Sequence, residues 1–131
     1  MAAVLIVEDD PGVRDMIARA FMSRGWSVGA AATPGEARQL ASARSFDLIL
    51  CDVMLPETNG VALAEQLREL QPGASVTFIS GYPEQYLRNT IGLQSDLPLL
   101  QKPFPFKTLI GRAGRLTAVR PEGALPDFGR I

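Results

Sequence analysis

The sequence predicts an α/β fold, a single open parallel sheet doubly wound with helices on both faces. Three observations carry that reading. Short runs rich in Val, Ile and Leu recur without polar alternation: Val4-Leu5-Ile6-Val7, Leu48-Ile49-Leu50-Cys51, Val76-Thr77-Phe78-Ile79 and Leu99-Leu100-Gln101. This is the pattern of strands buried on both faces. Segments of helical period separate the runs and supply the crossovers that parallel strands need. Each run also ends on polar groups, namely Glu8-Asp9-Asp10, Asp52, Ser80 and Lys102-Pro103. In open sheets of this kind, ligands bind outside the carboxyl ends of the strands, where these groups fall.

The elements follow in order. Strand one spans 3–7. Asp10-Pro11 starts a helix, with Asp10 as N-cap and Pro11 at the first helical position; the helix over 11–24 sets Val13, Ile17 and Phe21 on one stripe. Asp10 therefore has a structural reason to be acidic, which leaves Glu8 and Asp9 for chemistry. Gly25 suits a helix C-cap, and 26–31 reads as a second strand, less apolar and nearer an edge. Thr33-Pro34-Gly35-Glu36 is a capping box for a helix over 34–43. Strand three delivers Asp52. A loop broken by Pro56 and Asn59-Gly60 leads into a helix over 60–70 striped by Leu63, Leu67 and Leu70. Strand four runs from Ala74 or Ser75 to Ile79 and is followed by Ser80-Gly81-Tyr82-Pro83. A short, weak helix over 84–90 carries Tyr86, Leu87 and Ile91, followed by a loop over 92–98 and strand five over 99–101. A fifth helix over 106–116 is weakened by Gly111 and Gly114. Residues 119–131, rich in Pro and Gly, read as a flexible tail or truncated linker, leaving 1–118 as one domain.

Composition excludes several functions. With 131 residues and 47% apolar content, one core is expected. A net charge of −1 with interspersed signs provides no basic patch, so direct nucleic-acid binding is not expected. No apolar segment approaches a bilayer span, and Met1-Ala2-Ala3 runs straight into the first strand. A cytoplasmic protein without membrane contact is expected. The single cysteine, Cys51, permits no internal disulfide or Cys-rich zinc site and reads as a small buried filler. Trp26, Phe21 and Phe46 read as core or edge packing. Phe104 and Phe106 read as packing for the start of helix five, or as a docking surface. The chain has no histidine, which excludes Ser-His-Asp and Cys-His systems and a phosphohistidine of its own. Any histidine in a phosphotransfer would belong to a partner.

The remaining polar groups suit phosphoryl chemistry. Glu8, Asp9 and Asp52 on adjacent strand ends crowd negative charge, which a hard divalent cation relieves. Mg²⁺, typically held by one or two carboxylates plus phosphate oxygens, suits this ligand set better than caged Ca²⁺. Asp52 is the candidate nucleophile, since a carboxylate can form an aspartyl phosphate. Lys102 offers a mobile charge and Ser80 a hydroxyl for the phosphoryl oxygens.

Val7-Glu8-Asp9-Asp10-Pro11, Asp52-Val53-Met54-Leu55-Pro56, Asn59-Gly60, Ser80-Gly81-Tyr82 and Lys102-Pro103-Phe104 are five anchors in one order. In them the chain resembles the response-regulator receiver domains of two-component signalling, over roughly residues 3–118. The resemblance implies a flavodoxin-like, five-stranded parallel sheet in the order 2-1-3-4-5. It implies that Asp52 accepts a phosphoryl group from the phosphohistidine of a sensor histidine kinase or histidine phosphotransfer protein. Mg²⁺ would be bound by Asp9, Asp52 and the Met54 backbone carbonyl, with Glu8 acting mostly through water. Ser80 and Lys102 would read the phosphorylated state and switch contacts with a downstream protein. The module would not be an enzyme, although it would assist its own phosphorylation and dephosphorylation. It would serve either as a stand-alone regulator or as the receiver of a hybrid kinase.

Two features depart from the family's usual pattern. Where many receivers carry Tyr or Phe three residues before the lysine, this chain has Leu99, so the aromatic arm of the switch is missing. Met54 and Tyr82 occupy positions that in this family flank the path of the hydrolytic water, and large side chains there predict slow self-dephosphorylation. Two other functions compete with the receiver reading. A Mg²⁺-dependent phosphohydrolase of the haloacid-dehalogenase type would carry Asp-x-Asp-x-Thr after its first strand, whereas Asp52-Val53-Met54 follows the third. An interaction-only receiver would not need the intact acidic set.

Overall fold

Along β1 (Ala3–Val7) every residue is buried, and alternation divides the side chains between two cores. Ala3, Leu5 and Val7 join one; Val4 and Ile6 join the other. The computed structural model describes residues 2–91 and 99–102. After β1 come α1 (Pro11–Met22), β2 (Ser27–Ala31), α2 (Pro34–Ala43), β3 (Leu48–Asp52), α3 (Gly60–Leu70), β4 (Ser75–Ser80), α4 (Glu84–Ile91) and β5 (Leu99–Gln101). The strands form one parallel sheet ordered β2-β1-β3-β4-β5, as the resemblance implies, with β2 at an edge. The expected helix over 106–116, the loop over 92–98, the tail over 119–131, Phe104 and Phe106 lie outside the described residues.

Helices cover both faces. Ile17, Ala18 and Phe21 of α1 pack with Val4, Ile6, Leu48, Leu50, Ile79 and Trp26. On the other face, Ala37 and Ala41 of α2, Leu63, Ala64 and Leu67 of α3 and Leu87 of α4 pack with the opposite strand positions and Phe46. Each fully buried leucine contributes about 1.5–3 kcal/mol relative to exposure. Among the described residues, no helix is long and apolar enough to cross a membrane.

Capping chemistry sets where the helices begin. Asp10 Oδ1 accepts from Gly12 N at 2.9 Å and Val13 N at 3.2 Å, and Pro11 opens α1. Thr33 Oγ1 accepts from Glu36 N at 3.2 Å, while Glu36 Oε1 accepts from Ala32 N at 2.7 Å. The capping box therefore closes one residue earlier than its usual reciprocal bond. Asn59 Oδ1 caps α3 through Val61 N at 2.7 Å.

Some expected details shift. The first helix stops at Met22 rather than Arg24, because Gly25, at φ 84°, turns the chain left-handed and its N–H bonds Met22 O at 3.0 Å. Leu70 does not belong to the buried stripe of α3; it is 45% exposed, and the next residue, Gln71, is the one that is buried. Leu87 alone anchors α4 among its described side chains, and Tyr86 instead stacks on Tyr82 with ring centroids 4.9 Å apart.

Candidate functional site

Register brings the polar groups together. Val7 pairs with Cys51, so the next residues, Glu8 and Asp52, leave neighbouring strands side by side. Ser80 pairs with Gln101, and Lys102 N donates to Ser80 O at 2.6 Å, which sets the lysine at the same sheet end. The strands are parallel, so all these groups emerge at one rim.

Glu8 and Ser80 are fully buried, Asp52 is 5% exposed, and Asp9 faces solvent. One oxygen from each of Glu8, Asp9 and Asp52 lies within 4.8 Å of the others. Lys102 reaches across the end of β4 and donates from Nζ to Asp52 Oδ2 at 3.1 Å and to Glu8 Oε1. Met54 N donates to Asp52 Oδ1 at 3.0 Å, so both acceptor oxygens of Asp52 are engaged. Ser80 Oγ accepts from Tyr82 N at 2.9 Å, and a hydroxyl that accepts in this way can still donate its own hydrogen.

Electrostatics follow from burial and crowding. Burial pushes the Glu8 carboxyl up to about 7, helped by its hydrogen bond to Asp52 and the Asp52 charge, while Lys102 pulls it down. Burial works against the Lys102 ammonium, but the hydrogen bond it donates to Glu8 and the charge of Asp52 outweigh it and hold the group above its ordinary 10.5. Burial, then the negative charges of Asp52 and Glu8, push the Cys51 thiol far up, so it stays protonated. Its Sγ lies 3.5 Å from the carbonyls of Asp52 and Gly60, and the expectation of a buried filler holds.

Three carboxylates against one ammonium leave excess negative charge at the rim, in an all-oxygen set. That donor chemistry fits a hard divalent cation such as Mg²⁺. The structure thus gathers Glu8, Asp9, Asp52, Ser80 and Lys102 into one cluster, with Met54 contributing its N–H, and leaves Asp10 at its cap.

Two residues of the site have roles that the sequence does not show. Gly60 reads there as a helix breaker within the Asn59-Gly60 anchor, yet a Cβ on it would lie 1.9 Å from Asp52 O; no residue with a side chain lets α3 start so close to β3. Arg14 reads as an ordinary helix charge, yet Nη1 donates to Glu8 O at 2.9 Å. The signal available was its place one turn after Asp10, facing back to the acidic turn.

Comparison with known proteins agrees. The chain is 36% identical over 110 residues to sensor kinase CckA of Brucella abortus (strain 2308), a match covering 82% of this chain and only 12% of that protein. It is 27% identical over 116 residues to the response regulator receiver protein CpdR of the same organism, covering 88% of this chain and 97% of CpdR. Among solved structures, the receiver domain of hybrid histidine kinase CckA superposes with a TM-score of 0.73 at 33% identity, covering 87% of this chain and 97% of that one. The sequence profile of the response regulator receiver domain matches residues 4–113. A match of that extent, on this sheet order, makes the chain a member of the response regulator receiver domain family, the phosphoacceptor modules of two-component signalling.

Proposed function

We propose that Asp52 is the phosphoacceptor and that the phosphoryl group comes from a phosphohistidine on a sensor histidine kinase or histidine phosphotransfer protein. The observation that carries this is the setting of Asp52: a 5%-exposed carboxylate held by Lys102 Nζ at 3.1 Å and Met54 N at 3.0 Å, beside Glu8 and Asp9. The chain has no histidine, so the donor ring lies outside this sequence. That the relatives include a hybrid histidine kinase supports a donor of this class.

In the step, a carboxylate oxygen of Asp52 attacks phosphorus while the P–N bond to imidazole breaks. Its electron pair leaves on that nitrogen, and the ring departs neutral when its other nitrogen carries a proton. An acyl phosphate remains on Asp52. Met54 N–H orients the carboxylate. Lys102 exchanges its contact with Asp52 for the incoming phosphoryl oxygens, and the Ser80 hydroxyl donates to one of them. Glu8, Asp9, Asp52 and the Met54 carbonyl would hold Mg²⁺, which when bound offsets the charge that develops on the phosphoryl oxygens.

The receiver unit is assigned to residues 1–118, with 119–131 as tail or linker, acting in the cytoplasm. A receiver is a signalling module, not an enzyme in the ordinary sense, and the family match does not favour the phosphohydrolase alternative. Self-dephosphorylation, with Met54 and Tyr82 shielding the acyl phosphate, belongs to this reading. The test is intact mass after incubation with acetyl phosphate and Mg²⁺. One phosphoryl addition, lost in Asp52→Ala and without Mg²⁺, is expected; an addition that survives Asp52→Ala overturns the assignment.

A further inference from the structure

We infer that Arg14 is a positioning residue for the acidic turn, setting the direction in which Asp9 enters the cation site. The inference rests on the Mg²⁺ reading above, with Asp9 among the ligands. Asp9 is exposed, so little packing holds its carboxylate. Its direction is therefore set by the peptide that precedes it.

That peptide is clamped. Glu8 N donates to Ala31 O at 3.0 Å, which fixes one side of Glu8 to β2. Arg14 Nη1 donates to Glu8 O at 2.9 Å, and this carbonyl belongs to the Glu8–Asp9 peptide itself. Because a peptide is planar, fixing the carbonyl direction fixes the N–Cα bond from which the Asp9 side chain branches. The clamp closes through α1: Arg14 N donates to Asp10 O at 2.9 Å, and Asp10 N lies 3.4 Å from Glu8 Oε2. A rigid helix thus holds a three-residue turn from both its ends, through a half-buried guanidinium.

The sign of the effect separates positioning from charge. A guanidinium near a cation site repels Mg²⁺, so if Arg14 acts only by its charge, the carboxylate site binds the metal more tightly once Arg14 is neutralised. If Arg14 positions the turn, the site binds it more weakly. Groups behind metal ligands commonly change affinity by about tenfold or more when removed.

The test is titration of the full chain with MgCl₂, following the amide shifts of Asp9 and Met54, with melting temperature in chelator as the control for structure. Arg14→Met, which keeps the stem and loses the donors and charge, is expected to weaken Mg²⁺ binding about tenfold. Arg14→Lys, which keeps a donor and the charge, is expected to recover most of that loss. At saturating Mg²⁺ the phosphorylation rate of Arg14→Met returns toward the parent's. Unchanged or tighter Mg²⁺ binding in Arg14→Met, whatever its melting temperature, overturns the positioning role while leaving the metal reading standing. If Arg14→Met fails to fold, Arg14→Gln, which is neutral and shorter, is read in its place: Mg²⁺ binding about tenfold weaker supports the role, and unchanged or tighter binding overturns it. If the parent chain binds no Mg²⁺, the metal reading falls and this inference with it.

Discussion

Lys102 Nζ stands 3.1 Å from Asp52 Oδ2, although 50 positions separate the two in sequence. The contact spans the carboxyl end of β4 and depends on β5 pairing with β4 and β4 with β3. The same ammonium donates to the fully buried Glu8, so one cation serves two carboxylates.

Removing that cation leaves buried charge uncompensated. Lys102→Met is expected to lower stability by up to about 3 kcal/mol at pH 8, by urea unfolding in chelator. The loss is smaller at pH 5.5, where Glu8 takes up a proton, and Mg²⁺ restores part of it. Equal losses at the two pH values would show that Lys102 does not serve Glu8.

Glu8 gives the metal-free protein a pH dependence of defined sign. Its folded value, about 7, lies above the ordinary 4.5, so between these values the folded chain holds a proton that the unfolded chain has released. Stability therefore falls as pH rises through that window and levels off above it, by about 3 kcal/mol in all. Glu8→Gln is expected to abolish the slope and to be more stable than the parent at pH 8 without metal. Urea midpoints at pH 5 and pH 8 check this; a parent more stable at pH 8 would contradict it.

Gly60→Ala is expected to cost about 3 kcal/mol, since the new methyl would sit 1.9 Å from Asp52 O and the backbone must shift. The same shift disturbs the acceptor, so phosphorylation by acetyl phosphate slows in the fraction that folds. A urea midpoint within experimental error of the parent's would show that α3 can start farther from β3.

Tyr82 is 45% exposed and stacked on Tyr86, and Met54 is half-buried beside Asp52. Replacing both, Met54→Ser with Tyr82→Ala, is expected to shorten the acyl-phosphate lifetime by up to about tenfold, equivalent to about 1.4 kcal/mol of barrier. Phosphate release followed after removal of the donor measures it; an unchanged lifetime removes the shielding role.

Much of this architecture is legible in the sequence because two local signals are strong. Strands buried on both faces must be apolar throughout, so Val4–Val7 and Leu48–Cys51 could be read directly, and the caps Asp10 and Thr33 and the Asn59-Gly60 break mark where helices begin. Parallel strand ends then place Glu8, Asp52, Ser80 and Lys102 together. What escapes is geometry between a side chain and a distant backbone. The Arg14 contact to the Glu8 carbonyl and the approach of Gly60 to Asp52 O leave no periodic trace. Leu70 continues the spacing of Leu63 and Leu67 but is exposed, the buried position falling to Gln71 instead. Tyr86 likewise sits beside Leu87 in sequence while finding its partner in the preceding turn.

The central claim is that Asp52, among three clustered carboxylates, carries the phosphoryl group. Borohydride reduces an acyl phosphate of aspartate to homoserine, so phosphorylated protein can be reduced, digested and mapped by tandem mass spectrometry. Homoserine at position 52, with none at position 9 and no 5-hydroxynorvaline, the product a glutamyl phosphate would give, at position 8, is the predicted result. Modification at Glu8 or Asp9, or none at position 52 in protein whose intact mass shows the phosphoryl addition, would contradict it.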